Sequence, residues 1–155
     1  MKKFELVPED KIKWAGRTLY RIKACINFTA ASGKEVKAGD LGGYVEDEEN
    51  LSHDGKAWVS DNARVFGKAR VFSDAWVSDN ALVYGNAWVY GKARVSGDAC
   101  VYGNALVYGK ARVFGDARVF GKARVYGNAW VSGDAEVSGD ACVSGNAWVS
   151  GDAEV

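Results

Sequence analysis

The chain has 155 residues, with 20 Lys+Arg against 20 Asp+Glu, one His, one Pro and 19 Gly. That length holds one domain with a real core, and the balanced charge argues against a uniformly basic nucleic-acid coat or an acidic tail. No apolar run approaches the ~18 residues of a membrane span, and no signal peptide is expected from the opening residues.

Residues 1–43 do not repeat. Residues 11–14 and 18–28 read as strands about an Ala15-Gly16 turn, which is a hairpin pattern. Ile22, Ala24, Ile26 and Phe28 alternate with Lys23, Cys25 and Asn27, so one face is expected to be buried. Residues 29–39 read as a loop. Glu46-Asp47-Glu48-Glu49 has no fixed oxygen geometry for a cation and is expected to be a solvated turn. Val45 and Leu51 open a six-residue spacing, but Val59 follows Leu51 by eight, so two extra residues fall near His53-Asp54.

From Val59 to Val155 a valine stands at every sixth position without a break. The unit is V-[SFY]-G-[DNK]-A-x. Alternating apolar positions around the valine give a short strand, and Gly followed by Asp, Asn or Lys gives a turn. A second period of 18 is superposed. Ser60, Ser78 and Ser96 follow valine on every third hexad, and Trp58, Trp76, Trp130 and Trp148 precede it in that same register. Eighteen residues therefore make a coil with three faces, and stacked coils lie ~4.8 Å apart like strands in a sheet. The valines point inward in three ladders, each contributing roughly 1.5–3 kcal/mol on burial. The expected organisation is an N-terminal cap over residues 1–43 and a repeat column over 44–155. Solenoids need such caps because an end coil exposes apolar core and open strand edges.

The V-x-G-x-A-x hexad with an 18-residue coil resembles the β-helix of hexapeptide-repeat proteins. Residues 36–46 (VKAGDLGGYVE) and 50–59 (NLSHDGKAWV) narrow the resemblance to YdcK-like proteins, bacterial and prophage-borne repeat proteins often labelled transferases. The resemblance covers nearly the whole chain and implies an all-β, left-handed parallel β-helix with a small N-terminal β-hairpin cap. The handedness is the family's, since parallel crossovers are otherwise right-handed. The repeat specifies the fold and says little of function.

Hexapeptide-repeat acyltransferases use a His as general base, which makes His53 the one catalytic candidate. It lies in the irregular coil, and the plain alternative is a solvated loop His. Ser52-His53-Asp54 is no triad, because neighbours on one strand do not converge. With one His no three-His zinc site forms within the chain, and neither a metal nor another cofactor is expected. Cys25, Cys100 and Cys142 form no C-x-x-C and leave one unpaired in any scheme, which suits a reduced, cytoplasmic protein.

Charge is uneven. Residues 62–124 hold ten Lys/Arg and four Asp/Glu, whereas residues 125–155 hold five acids and no base. Arg94, Arg112, Arg118 and Arg124 with Phe114, Phe120 and Tyr126 are candidates for a cationic aromatic surface that holds a small anion. Balanced net charge argues against a nucleic-acid scaffold. Trp58, Trp76, Trp130 and Trp148 share a face, as a binding face or as the side-by-side trimer interface that the resemblance implies. The sequence stops in mid-pattern, so the last coil is expected to be covered either by more chain or by another copy. Val143, Val149 and Val155 are the candidate contacts of such a homo-oligomer, a tail-to-tail dimer. The resulting reading is a non-enzymatic binding or assembly module that uses flat ladders of Trp, Arg, Tyr and Phe. An acyltransferase with His53 as base is one alternative. A protein that sequesters a nucleotide or anion, carried by a phage against host defence, is another.

Overall fold

The computed structural model describes residues 2–155. Two antiparallel strands open the chain, β1 (Phe4–Trp14) and β2 (Arg17–Ala24), joined through Ala15 and Gly16 with φ of 52° and 75°. Such paired positive φ values match the twist of the strands that they connect. A second hairpin, β3 (Phe28–Thr29) and β4 (Glu35–Val36), occupies the segment expected as a loop. β5 (Leu41–Val45) joins the cap to the column by pairing antiparallel with β2 and parallel with Arg64–Val65. Sixteen two-residue strands follow, from Trp58–Val59 to Trp148–Val149.

These strands stack into three parallel faces. Face I continues β1, β2 and β5 into Arg64–Val65, Leu82–Val83, Cys100–Val101, Arg118–Val119 and Glu136–Val137. Face II runs from Arg70–Val71 to Cys142–Val143 in five strands, and face III from Trp58–Val59 to Trp148–Val149 in six. Partners throughout the column are 18 residues apart, as Val89 with Val71 and Val107. Above it, Val45 pairs with Val65 and Leu51 with Val71, each 20 apart, which places the two extra residues in the top coil. The fold is an all-β parallel β-solenoid, and no helix in it is long and apolar enough to cross a membrane.

The core is what the hexad specifies. Every repeat valine from Val59 to Val137 is fully buried, and the alanines between them narrow the corners. In mid-column the corner glycines leave no room for a Cβ. At Gly91 φ is +68°, and a Cβ would lie 2.8 Å from the amide nitrogen of Gly109 in the next coil. Only in the upper coils do Asp61, Ser73 and Asp79 occupy corners at positive φ. Asp61 and Asp79 turn this to use, accepting from the backbone N–H one coil below, at Asp79 and Gly97 (3.3 and 3.0 Å).

The cap is pinned by side chains. Lys3 is buried and donates to the carbonyls of Ala57 (2.5 Å) and Gly55 (3.5 Å). Asn50 donates to Gly67 O and Ala69 O at 3.2 and 2.9 Å. The acidic string is not a loose solvated turn. Asp47 caps a 3-10 turn, Glu48–Asn50, and Glu46 accepts from the Gly67 N–H (2.9 Å) and from Arg17 (2.8 Å). The reason is local: the long top coil cannot pair its backbone there, and side-chain oxygens and nitrogens stand in for the missing ladder.

Candidate binding faces

Each face carries two outward columns, one from the residue before valine and one from the residue after it. On face III these are Trp58, Trp76, Arg94, Arg112, Trp130 and Trp148 beside Ser60, Ser78, Ser96, Phe114, Ser132 and Ser150. The four tryptophans do share this face, but not one environment. Trp58 and Trp76 are buried, with Phe28 edge-on to Trp58 at 5.5 Å and Lys34 over Trp76 at 5.7 Å. The hairpin of β3 and β4 lies on them, so they are packed under the cap. Below it the face is open. Trp130 stacks on Trp148 at 5.0 Å, Arg112 lies 5.2 Å from the Trp130 ring, and Trp148 is 69% exposed.

The expected cationic aromatic surface is divided. Hexads alternate among faces, so Arg118 and Phe120 stand on face I, Arg124 and Tyr126 on face II, and Arg94, Arg112 and Phe114 on face III. What is continuous runs down the column instead. Phe66, Tyr84, Tyr102 and Phe120 stack at 5.0, 4.9 and 5.0 Å. Phe72, Tyr90, Tyr108 and Tyr126 stack at 4.8, 5.0 and 5.0 Å. Face-parallel rings at that spacing fill each other's contact surface and leave no gap for an inserted ring. Burial pushes the phenol of Tyr90 up, with Tyr108 adding to the shift and Arg124 opposing it. Burial pushes Tyr84 and Tyr102 up too.

His53 is locked into the cap. Its ring lies on Phe4, with centroids 4.3 Å apart, Nδ1 accepts the Lys3 N–H at 3.1 Å, and Nε2 faces Glu48 Oε1 at 3.1 Å. The Lys3 contact makes Nδ1 the acceptor, so Nε2 carries the proton and donates to Glu48. Neither nitrogen is left to take a proton from a substrate. Val143 is buried at 4%, Val149 is half-buried, and Val155 is 47% exposed, so the core opens progressively through the last coil.

An open groove of about 1120 Å³ lies at the top of face II. Leu51, Phe72 and Trp88 line its apolar part, with Arg70 on one side and Glu48 and His53 on the other. Its only signal in the sequence is the pair of extra residues near His53-Asp54, which fall in the coil that lines it.

The YdcK beta solenoid repeat family model matches residues 75–91, 93–109 and 123–139, each close to one full coil. No curated protein matches the chain. The chain thus carries the YdcK beta solenoid repeat in three places, on a parallel β-solenoid column whose every strand pairs 18 residues away.

Proposed function

We propose that the chain is a rigid, non-enzymatic binding and assembly module whose working surface is the lower part of face III. The observation that carries this is the open column Arg94, Arg112, Trp130 and Trp148, with its two lowest indoles stacked and the last one 69% exposed. Exposed aromatic and Arg side chains on a preformed flat sheet bind at low entropic cost, because nothing has to be ordered first. The engagement of both His53 nitrogens supports the non-enzymatic half of the reading. A general base needs a free lone pair within reach of its substrate.

A second reading, retention of a small ligand, is favoured by the groove of Phe72, Trp88 and Arg70 under the upper turn. Native mass spectrometry of the purified protein, beside an acyl-CoA turnover assay with hydroxyl and amine acceptors, tests both. The expected result is no turnover, and a bound species that Trp130→Ser with Trp148→Ser releases. A small molecule released instead by Trp88→Ser favours the groove. A transferase rate that a folded His53→Ala variant loses overturns the non-enzymatic reading.

A further inference from the structure

The corners of the column are ladders of charge, and two unlike ladders flank face III. Between faces II and III the heptad V-Y-G-K-A-R-V occurs at 89–95 and again at 107–113. It places Lys92 and Arg94 directly above Lys110 and Arg112, and Arg94 and Arg112 are in-register strand partners. On the far side of face III the corner residues are Asp98, Asp116, Asp134 and Asp152, one per coil. Asp98 ends the row that Lys92 begins, and Asp116 ends the row that Lys110 begins. Glu136 and Arg118 stand just past this acidic edge, at the start of face I.

Neither ladder has a counter-charge of its own. The ion pairs among the described residues are Lys2–Glu48, Arg17–Glu46, Arg21–Asp10, Lys23–Glu5 and His53–Glu48, all within the cap or the top coil. The column's like charges meant for no partner in the chain repeat at the coil rise, so each edge repels itself. Two side chains register this. The Arg94 guanidinium is pulled down by burial and then by Arg112. The Asp116 carboxyl is pushed up by loss of solvent and then by Asp134 and Asp98.

We propose that the partner of face III is a second copy of this chain, set with its column parallel and its acidic edge against the basic edge of the first. This rests on face III being the working face. Both edges are built on the same 18-residue coil, so a parallel copy at equal height brings Asp98 to Lys92 and Arg94, and Asp116 to Lys110 and Arg112, with no mismatch of pitch. Turning one copy upside down sets basic edge on basic edge, so charge selects the parallel arrangement. A polyanion could answer the basic edge but would leave the acidic one unanswered and be repelled by it. The face between the edges is suited to the same contact. A tall column of Arg94, Arg112, Trp130 and Trp148 stands beside a column that is short except at Phe114. The hairpin over Trp58 and Trp76 confines the contact to the rows from Arg94 downward.

Light scattering at micromolar concentration, in low salt and in ~1 M salt, tests this with two edge-reversed variants. One carries Lys92→Glu and Lys110→Glu, the other Asp98→Lys and Asp116→Lys. All four positions are on the surface, and circular dichroism checks that each variant folds. The wild type is expected to oligomerise and to weaken in high salt. Each variant alone should associate about tenfold or more weakly, and their equimolar mixture should assemble, because the intact acidic edge of the first then meets the basic edge of the second, while its other edge, neutralised by Glu beside Arg94 and Arg112, meets no like charge. A mixture that stays monomeric overturns the proposal. So does a wild-type oligomer that ignores both reversals but dissociates with Val149→Lys and Val155→Lys, which moves the interface to the last coil. A monomeric wild type that binds inorganic polyphosphate through Lys92 and Lys110 overturns it as well. If that monomer still releases a bound species on Trp130→Ser with Trp148→Ser, the binding module stands and only the identity of its partner falls.

Discussion

In the column, from Ala75 to Val137, each inward valine and alanine has no exposed surface, and order comes from repetition of a single contact. In the cap, order comes from contacts that occur once. Lys3 reaches Ala57 O, Asn50 spans Gly67 O and Ala69 O, and His53 is held between Phe4, Lys3 N–H and Glu48. The difference follows from the direction of the ladder. Each coil donates N–H groups to carbonyls of the coil below, as Trp58 N to Ala75 O and Trp76 N to Ala93 O. The uppermost coil therefore presents carbonyls with no coil above them, and a cap must supply donors. A lysine, an asparagine amide and the backbone of Tyr44 and Glu46 supply them.

The sharpest way to break this contrast is in mid-column. Val107 is fully buried between Val89 and Val125, whereas Tyr108 is half-buried and points out. Val107→Asp places an unpaired carboxylate in the dry core and should cost several kcal/mol, on the order of 3–5. Tyr108→Ser interrupts a stack at the surface and should cost about 1 kcal/mol. Denaturant melts of the two variants check the ordering, and equal stabilities would mean that the inward assignment of the valines is wrong.

The cap should yield next, through its buried cation. Burial lowers the pKa of Lys3 to about 8 from 10.5, against the opposing pull of Asp54 and Asp74. A lysine depressed in the folded state binds its proton more weakly there than in the unfolded chain. Between pH 8 and 10.5 the unfolded chain therefore holds more protons, and stability from this group rises with pH. Lys3→Met removes the titration. The stability of the wild type relative to Lys3→Met should increase across that window by about 3 kcal/mol at most. Denaturant melts of both proteins at pH 7 and pH 10 measure it, and a difference independent of pH would remove the burial argument.

His53→Ala comes third. It loses the stack on Phe4 and leaves the Lys3 N–H without its acceptor, at a cost of about 1–2 kcal/mol. Hydrogen exchange should show the loss of protection confined to residues of the cap and top coil. Protection lost equally at Val107 and below would show that the cap and column unfold as one unit.

The same contrast explains which parts of the molecule were legible beforehand. Val59 to Val137 could be placed because a period repeated without error leaves one inward solution. The His53 contacts could not, since Lys3 and His53 are 50 positions apart and no pattern links them. The tryptophans lie between these cases. Period 18 put Trp58, Trp76, Trp130 and Trp148 on one face, but period says which face a residue is on and not what lies over it. Phe28 and Lys34, from outside the repeat, decide that. The Arg and aromatic residues expected on one surface are spread over three faces for the opposite reason. Arg112, Arg118 and Arg124 are neighbours at spacing six and strangers at spacing 18, and it is the longer spacing that sets contact.

The smallest expected effect lies on the acidic edge, where regularity itself is the cost. A repeat that stacks alanine on alanine also stacks aspartate on aspartate, and Asp116 stands between Asp98 and Asp134. Elsewhere the same corner geometry is used without charge, as where Asn86 donates to Asn104 at 3.2 Å and Asn128 to Asn146 at 3.3 Å. Asp116→Asn should convert a repelling rung into one that donates to a neighbouring carboxylate, and so raise the melting temperature at pH 7 and low salt. Because the folded carboxyl is pushed above its ordinary value of 3.8, the folded chain binds a proton more readily than the unfolded one. The wild type therefore recovers stability relative to the variant as pH falls through the window above 3.8. The gain from Asp116→Asn should accordingly shrink toward pH 3.5, and it should shrink in ~1 M salt at pH 7, where the Debye length is about 3 Å. Melting temperatures across that grid of pH and salt decide the matter. A gain that persists unchanged in high salt would come from the amide ladder alone, and the edge would then carry no electrostatic strain for a second copy to relieve.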